Sequence, residues 1–260
     1  PEDFLMKAAA CTKMGMGFPA WMNNQQGMNF MLRNYAPEGM SIVDARAWCL
    51  GGCLESSPGC FLPLEYYGKT YWIPGGAGPT AATGVHFIAL PKLLEIVLTN
   101  GKDMRTGRQL LPSHNRKLET YDDIWNQWGR YLEIVTDAVN KANNLQMDIW
   151  RKHNMPICNS LLKADCFKKG QHIGNMGARY NSTINFESCG TVTFINSMVA
   201  LKKLVFEEKK YTLDQMCEAM LDNFGFETAY ESGIFSPDHR VAKDSAKKYE
   251  HIFADCLNAP

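Results

Sequence analysis

The chain has 260 residues, 45% of them hydrophobic and 21% charged, and its 27 basic and 27 acidic side chains cancel. That is enough for one large or two small cores, while zero net charge supplies no global field for nucleic acid or an anionic membrane. No apolar run nears the roughly 20 residues of a membrane span and no signal segment opens the chain, so a cytoplasmic protein without nucleic-acid or membrane partners is expected.

Nine cysteines scattered from Cys11 to Cys256 do not form the dense, paired framework of a secreted domain, and most are expected to be reduced and buried. The chain opens on "PEDFLMKAAAC" without methionine and closes on "CLNAP", which suggests an internal segment of something longer. It contains no repeat and no low-complexity tract, so a single folded unit is the economical expectation.

Taken in order, "SIVDARAW" places Ser41 three residues before Asp44, a capping-box arrangement that predicts a short helix. It feeds "WCLGGCLESSPGC", Trp48 to Cys60, too rich in glycine for a helix interior and too polar for a core strand, and therefore a loop. Lys69 to Ile73 and Val85 to Leu90 read as strands separated by "PGGAGPTAATG". "KLLEIVLTNG" after Pro91 predicts a helix closed by Asn100-Gly101. The strongest helix spans Asp122 to Trp150, with Trp125, Trp128, Leu132, Val135 and Val139 on one buried face. "TVTFIN" from Thr191 reads as a strand leading into a helix through "SMVALKKLVFEE". A further helix starts at Thr212, with Gln215 completing a capping box, and runs to about Phe224. Interleaved strands and helices favour an α/β architecture.

Cys49, Cys53 and Cys60, spaced by four and seven, lack the paired pattern of zinc sites, and Ser56 breaks a cluster-binding pattern, so no bound metal is expected. "GAGPTA" at Gly76 to Ala81 formally fits a dinucleotide fingerprint. The next segment reads as a strand where the fingerprint requires a helix, and a tight connection is the better reading. Cys53 with His86 as base is a candidate nucleophilic pair. Glu55, two residues from the thiol, would disfavour a thiolate and instead suits hydrogen-atom chemistry with a neutral thiol and a proton donor. Residue type alone places Glu187, in "NFESCG", in solvent and His86 in a satisfied core role. Apolar neighbours around Glu187 would instead force it to find a donor or stay protonated.

Several segments together resemble the glycyl radical enzymes: "CTKMGMGFPAWMN", "DARAWCLGGCLESSPG", "LPKLLEIVLTNGKDMRTGRQL" and "GTVTFINSMVALKKLVFEEKKYTLDQM", in the family's order across nearly the whole chain. The resemblance implies an α/β fold in which residues 1–260 are a segment of a ten-stranded barrel, with the cysteine loop of about 49–60 held inside it. Cys53 would carry the thiyl radical, with Glu55 beside it as a protonated carboxyl. "CLESSPG", His86 and "NFESCG" look closest to the branch that decarboxylates 4-hydroxyphenylacetate to p-cresol. His86 and Glu187 would then hold the phenol, with Glu187 as proton acceptor. Other aryl branches of the family and a non-catalytic scaffold remain alternatives.

The family keeps its radical on a glycine in an R-V-x-G-Y-like motif. "HRVAK" at His239 to Lys243 lacks the Gly-Tyr, so the glycyl radical and its C-terminal domain are expected outside this chain. The resemblance also implies an S-adenosylmethionine-dependent activating enzyme, and a small subunit that would carry any iron–sulfur cluster.

Overall fold

The computed structural model describes residues 2–14, 23–50, 56–78, 85–153, 157–181, 185–227, 241–242 and 246–260. In chain order come helices α1 (Glu2–Lys13), α2 (Asn24–Tyr35) and α3 (Ile42–Arg46), then strands β1 (Cys49–Leu50), β2 (Ser56–Ser57), β3 (Gly59–Tyr66), β4 (Lys69–Gly76) and β5 (Val85–Ala89). Helices α4 (Leu90–Leu98), α5 (Tyr121–His153), α6 (Ile157–Leu161) and α7 (Cys166–Lys169) follow, then strand β6 (Asn185–Cys189). The chain continues through helices α8 (Thr191–Leu201) and α9 (Leu213–Leu221), strands β7 (Phe226–Glu227) and β8 (Val241–Ala242), and helix α10 (Ala246–Asn258). The class is mixed α/β. Among the described residues the strands form four two-stranded pairs, β1–β2, β3–β4, β5–β6 and β7–β8.

Where a single folded unit is the economical expectation, the chain divides into two compact units, Pro1–Val85 with Asn143–Asn185, and His86–Ala142 with Phe186–Pro260. The first is centred on Met31, Tyr35, Ala45, Cys60, Ala77, Ala164 and Tyr180. Helix α2 starts at Asn23, whose side chain accepts the Gln26 N–H, and presents Met31 and Tyr35 one turn apart to this core. Strands β3 and β4 form an antiparallel hairpin in register from Gly59↔Gly76 to Tyr66↔Lys69. Its turn is Tyr67-Gly68, both at positive φ (49° and 69°), the geometry that matches strand twist in a two-residue hairpin. The sequence reading found β4 but placed the start of β3 in the cysteine loop, which reads as too polar for a core strand; β3 also contains Pro63. A two-stranded pair leaves every strand an outer edge where the missing N–H costs nothing.

The second unit packs Leu93, Leu94 and Val97 of α4, Ile124, Trp128 and Tyr131 of α5, and Phe194, Met198 and Leu201 of α8 with residues of α9 and α10. Helix α4 ends as predicted. Asn100 (φ 56°) and Gly101 (φ 88°) turn left-handed, and their N–H groups return to the carbonyls of Val97 (3.2 Å) and Ile96 (2.8 Å). The Thr212–Gln215 capping box is present, each side chain accepting the other's backbone N–H.

Three expectations change. "TVTFIN" is the first half of α8, not a strand: its β-branched Val192 and Ile195 lie on the exposed side, while Phe194, Met198 and Leu201 share the buried face. Burial at helical spacing outweighs the strand propensity of single residues. On α5 the buried stripe runs through Ile124, Trp128 and Tyr131, and Trp125 is 47% exposed, set beside the core and stacked on Trp128 at 5.7 Å. At α3, Ser41 caps the Asp44 N–H (3.0 Å) but the reciprocal half is missing, because the Asp44 carboxylate is engaged elsewhere.

Gly101→Ala in the full-length protein should cost about 1–3 kcal/mol, since a methyl group there would meet the Leu111 carbonyl at 2.4 Å at a φ that disfavours side chains. Chemical denaturation measures it, and an unchanged midpoint would show the cap to be dispensable.

Candidate active site

The Cys53 segment is bounded by β1 and β2, which pair Cys49↔Ser57 and Leu50↔Ser56. Cys53 and Glu55 themselves lie outside the described residues. On the incoming side, α3 runs into Ala47 and Trp48, whose indole N–H reaches the Asn24 side chain (2.8 Å) over Gly27. A methyl group on Gly27 would lie 2.3 Å from the indole, so glycine is what lets the ring sit there.

On the outgoing side come Ser57 and Pro58, both buried, and Gly59. A Cβ on Gly59 would fall 1.7 Å from the Ala47 carbonyl oxygen, so the two legs touch backbone to backbone. The Pro58 carbonyl accepts the Ala77 N–H (3.1 Å), and the Ala77 carbonyl accepts the Tyr180 N–H (2.9 Å).

Around this stem lies a polar network that the sequence reading did not anticipate. Asp44 Oδ2 accepts the Tyr180 hydroxyl (2.6 Å) and Arg179 Nη1 (3.3 Å), while Oδ1 lies 3.4 Å from the Phe61 N–H. Arg179 also grips Asp165 with two nitrogens, Nε to Oδ2 at 3.0 Å and Nη2 to Oδ1 at 3.4 Å. The Arg179 hydrogen bonds hold the Asp165 carboxyl below its ordinary value and push the guanidinium further up. Burial, then the bond to Asp44, raises the Tyr180 phenol. One turn back, Glu38 accepts the Asn181 N–H at 2.6 Å. Only the capping pattern at Asp44 hinted at any of this, and "GARYN" carries no motif that could have revealed the rest.

The eight described cysteines are free as expected, but most are not buried: only Cys60 and Cys166 are, while Cys49, Cys158 and Cys189 are exposed. Cys60 is fully buried and its thiol is raised by burial, as is that of Cys166, whereas Cys49 is exposed. Lys163 lies against Gly76, its ammonium pKa lowered by burial. No group of three or more His, Cys, Asp or Glu among the described residues is placed to hold a metal ion. Gly76 ends β4, and the next described element after the glycine-rich stretch is strand β5, without the helix a dinucleotide site requires.

In the second unit, His86 falls in β5 and Glu187 in β6, and these two strands are paired. The side chains of both lie outside the described positions. Each strand leads into a helix, β5 into α4 and β6 through Gly190 into α8. A Cβ on Gly190 would lie 2.8 Å from the Pro91 ring, so the two strand-to-helix junctions abut. At the end of β6, Cys189 is exposed and Ser188 shares a hydrogen bond with Thr191 (3.2 Å), the first residue of α8. His153 is exposed, and His172 Nδ1 is buried with no hydrogen-bond partner among the described residues.

Comparison with known proteins gives this arrangement its class. The whole chain, residues 1–260, matches the pyruvate formate lyase-like family. A solved protein of 1,2-propanediol dehydration in Roseburia inulinivorans superposes over 98% of this chain and 28% of its own, with a TM-score of 0.65 at 23% identity. The chain belongs to the pyruvate formate lyase-like family, and the resemblance read from its motifs holds. It is 68% identical over 260 residues to the 4-hydroxyphenylacetate decarboxylase glycyl radical subunit of Clostridium scatologenes, and 33% identical over 264 residues to the indoleacetate decarboxylase of Tractidigestivibacter scatoligenes. All of this chain is covered in both alignments, but only 29% and 28% of those proteins, so the chain spans under a third of their length. No helix among the described residues is long and apolar enough to cross a membrane.

A carboxylate whose folded pKa is depressed contributes stability that is fully present above its unfolded value, about 3.9, and lost as pH falls through the folded one. Asp165→Asn, which also tolerates the left-handed backbone at this residue (φ 71°), should therefore cost about 1 kcal/mol at neutral pH and nothing in strong acid. Denaturation midpoints between pH 7 and 2 check this, and parallel losses at both ends would refute the assignment.

Proposed function

We propose that the protein containing this chain decarboxylates 4-hydroxyphenylacetate to p-cresol and carbon dioxide by glycyl radical chemistry, with residues 1–260 as a segment of its barrel. The observation that carries the reading is the 68% identity, sustained over all 260 residues, to a subunit of that name. The motif "GGCLES" and the pairing of the His86 strand with the Glu187 strand support it.

The glycyl radical, held on a residue outside this chain, supplies the unpaired electron. The chain's own residues then divide the work. Cys53 is the sulfur that exchanges it with the substrate, either taking an electron from the carboxylate with a proton from Glu55, or taking a hydrogen atom from the methylene. The carbon–carbon bond breaks and carbon dioxide leaves; in the hydrogen-atom route the benzylic carbon takes the Glu55 proton at this point. The benzylic carbon takes a hydrogen atom from the Cys53 thiol, which leaves the sulfur as it began. Overall one proton is consumed per turnover, entering through Glu55.

At the far end of the substrate, Glu187 with His86 accepts the phenolic proton as the ring loses electron density and returns it afterwards. A neutral thiol beside a protonated carboxyl suits this exchange better than a thiolate, and exclusion of water protects the radical. The word subunit in the relative's name supports a partner chain. A small iron–sulfur subunit and an S-adenosylmethionine-dependent activating enzyme complete the reading. An indoleacetate-specific enzyme is the competing one, favoured by the 33% relative.

In the activated full-length enzyme, Cys53→Ser should abolish turnover. Glu187→Gln should reduce kcat by about 100-fold or more while the glycyl radical signal forms normally. Full activity of Glu187→Gln would remove it from the mechanism. Equal turnover of phenylacetate, which lacks the hydroxyl, would remove the phenol site, and preference for indoleacetate would favour the competing reading.

A further inference from the structure

Gly129 stands apart from the other described glycines. Each of those either turns at positive φ or, given a methyl group, would meet another atom closer than 3.0 Å. Gly129 lies inside the long helix α5 without a positive φ, and a methyl group on it would meet nothing within 4 Å. Glycine is the poorest helix former after proline, yet α5 keeps one where alanine would fit. Whatever needs the hydrogen at this position lies outside the described residues.

One turn earlier on the same face stands Trp125, 47% exposed. Its ring stacks on Trp128 at 5.7 Å and lies 6.3 Å from Phe194, so a large apolar side chain is held in place by the core and still nearly half open to solvent. Trp125 and Gly129 line a hollow of about 460 Å³ within the second unit, together with the exposed Arg116, Arg130 and Glu133. A hollow of this kind fits an amphipathic element, apolar where it meets the indole and polar towards the charged side chains.

We propose that this hollow seats a segment of the same polypeptide from outside residues 1–260, whose backbone comes close against Gly129 and whose apolar side chain covers Trp125. Close approach of a second element is what a helical glycine permits and a Cβ would block. The occupant comes from the same polypeptide on grounds of length. All 260 residues align with the Clostridium scatologenes subunit but span only 29% of it, so the greater part of a protein of that length lies outside this segment. Covalent connection holds that part at high effective concentration, ahead of any separate chain. The proposal concerns assembly and stands whichever substrate the enzyme takes.

The test uses the full-length protein. Helix propensity alone dictates that Gly129→Ala raises the unfolding midpoint; with an element seated against the glycine, the midpoint should instead fall by about 2 °C or more, and Gly129→Leu should lower it further. Asn126→p-benzoylphenylalanine places a photocrosslinker in the same hollow. On irradiation it should crosslink within one polypeptide to a peptide from outside residues 1–260, identified by mass spectrometry. A raised or unchanged midpoint for Gly129→Ala would overturn the proposal. A crosslink to a second copy, to a partner subunit or to a peptide from residues 1–260 would also overturn it, as would the absence of any crosslink.

Discussion

A carboxylate removed from water must be met by donors, and in the first unit that constraint falls on Asp44. Its donors come from a segment 135 and 136 positions further along the chain, at Arg179 and Tyr180. Leaving such a charge unpaired costs about 3–5 kcal/mol, so Asp44 depends on these donors. The neighbouring contacts tighten that set. Asn181 is bound to Glu38, Ala77 to both Pro58 and Tyr180, and Ala164 to Gly76. Residues 178–181 thus act as a brace laid across the stem, and the helix α3, too short to be stable by propensity, is kept by its tertiary bonds.

The second unit solves a different problem by apolar packing. Phe194 lies 4.4 Å from Trp128 at an interplanar angle of 22°, joining α8 to α5, while α4 fits between them through Leu93, Leu94 and Val97. Two strand-to-helix junctions meet where Gly190 admits the Pro91 ring. Strands that carry His86 and Glu187 are therefore fixed by the helices that follow them, a rigid support of the kind that precise placement of polar groups requires.

Sequence reading recovered whatever was encoded locally. The Asn100-Gly101 cap, the Thr212–Gln215 box and the strands at Lys69 and Val85 follow from a few neighbouring residues. It failed where distant contacts decided. Thr191 to Asn196 reads as a strand until Phe194, Met198 and Leu201 are seen to share a core. The start of β3 reads as part of the polar cysteine loop. Asp44 looked like half of a cap because its true partners are more than a hundred residues away, and nothing in "GARYN" marks Arg179 and Tyr180 as its donors. Cys53 and Glu55 stand as candidates on their spacing in "GGCLES" alone, since both lie outside the described residues.

This contrast explains how the two kinds of information combine. On the proposed reading the chemistry lies in a few adjacent residues, a sulfur and a carboxyl two positions apart. The contacts that shape the neighbouring stem come from elsewhere, from residues far along the chain. Asp44 touches nothing reactive in the described structure, and Gly59 contributes only an absent methyl group. Yet the stem exists in its observed form only with a hydrogen at Gly59 and two acceptor oxygens at Asp44. A protein with the same "GGCLES" and without those two features would keep that motif and lose the contacts that join the segments on either side of it.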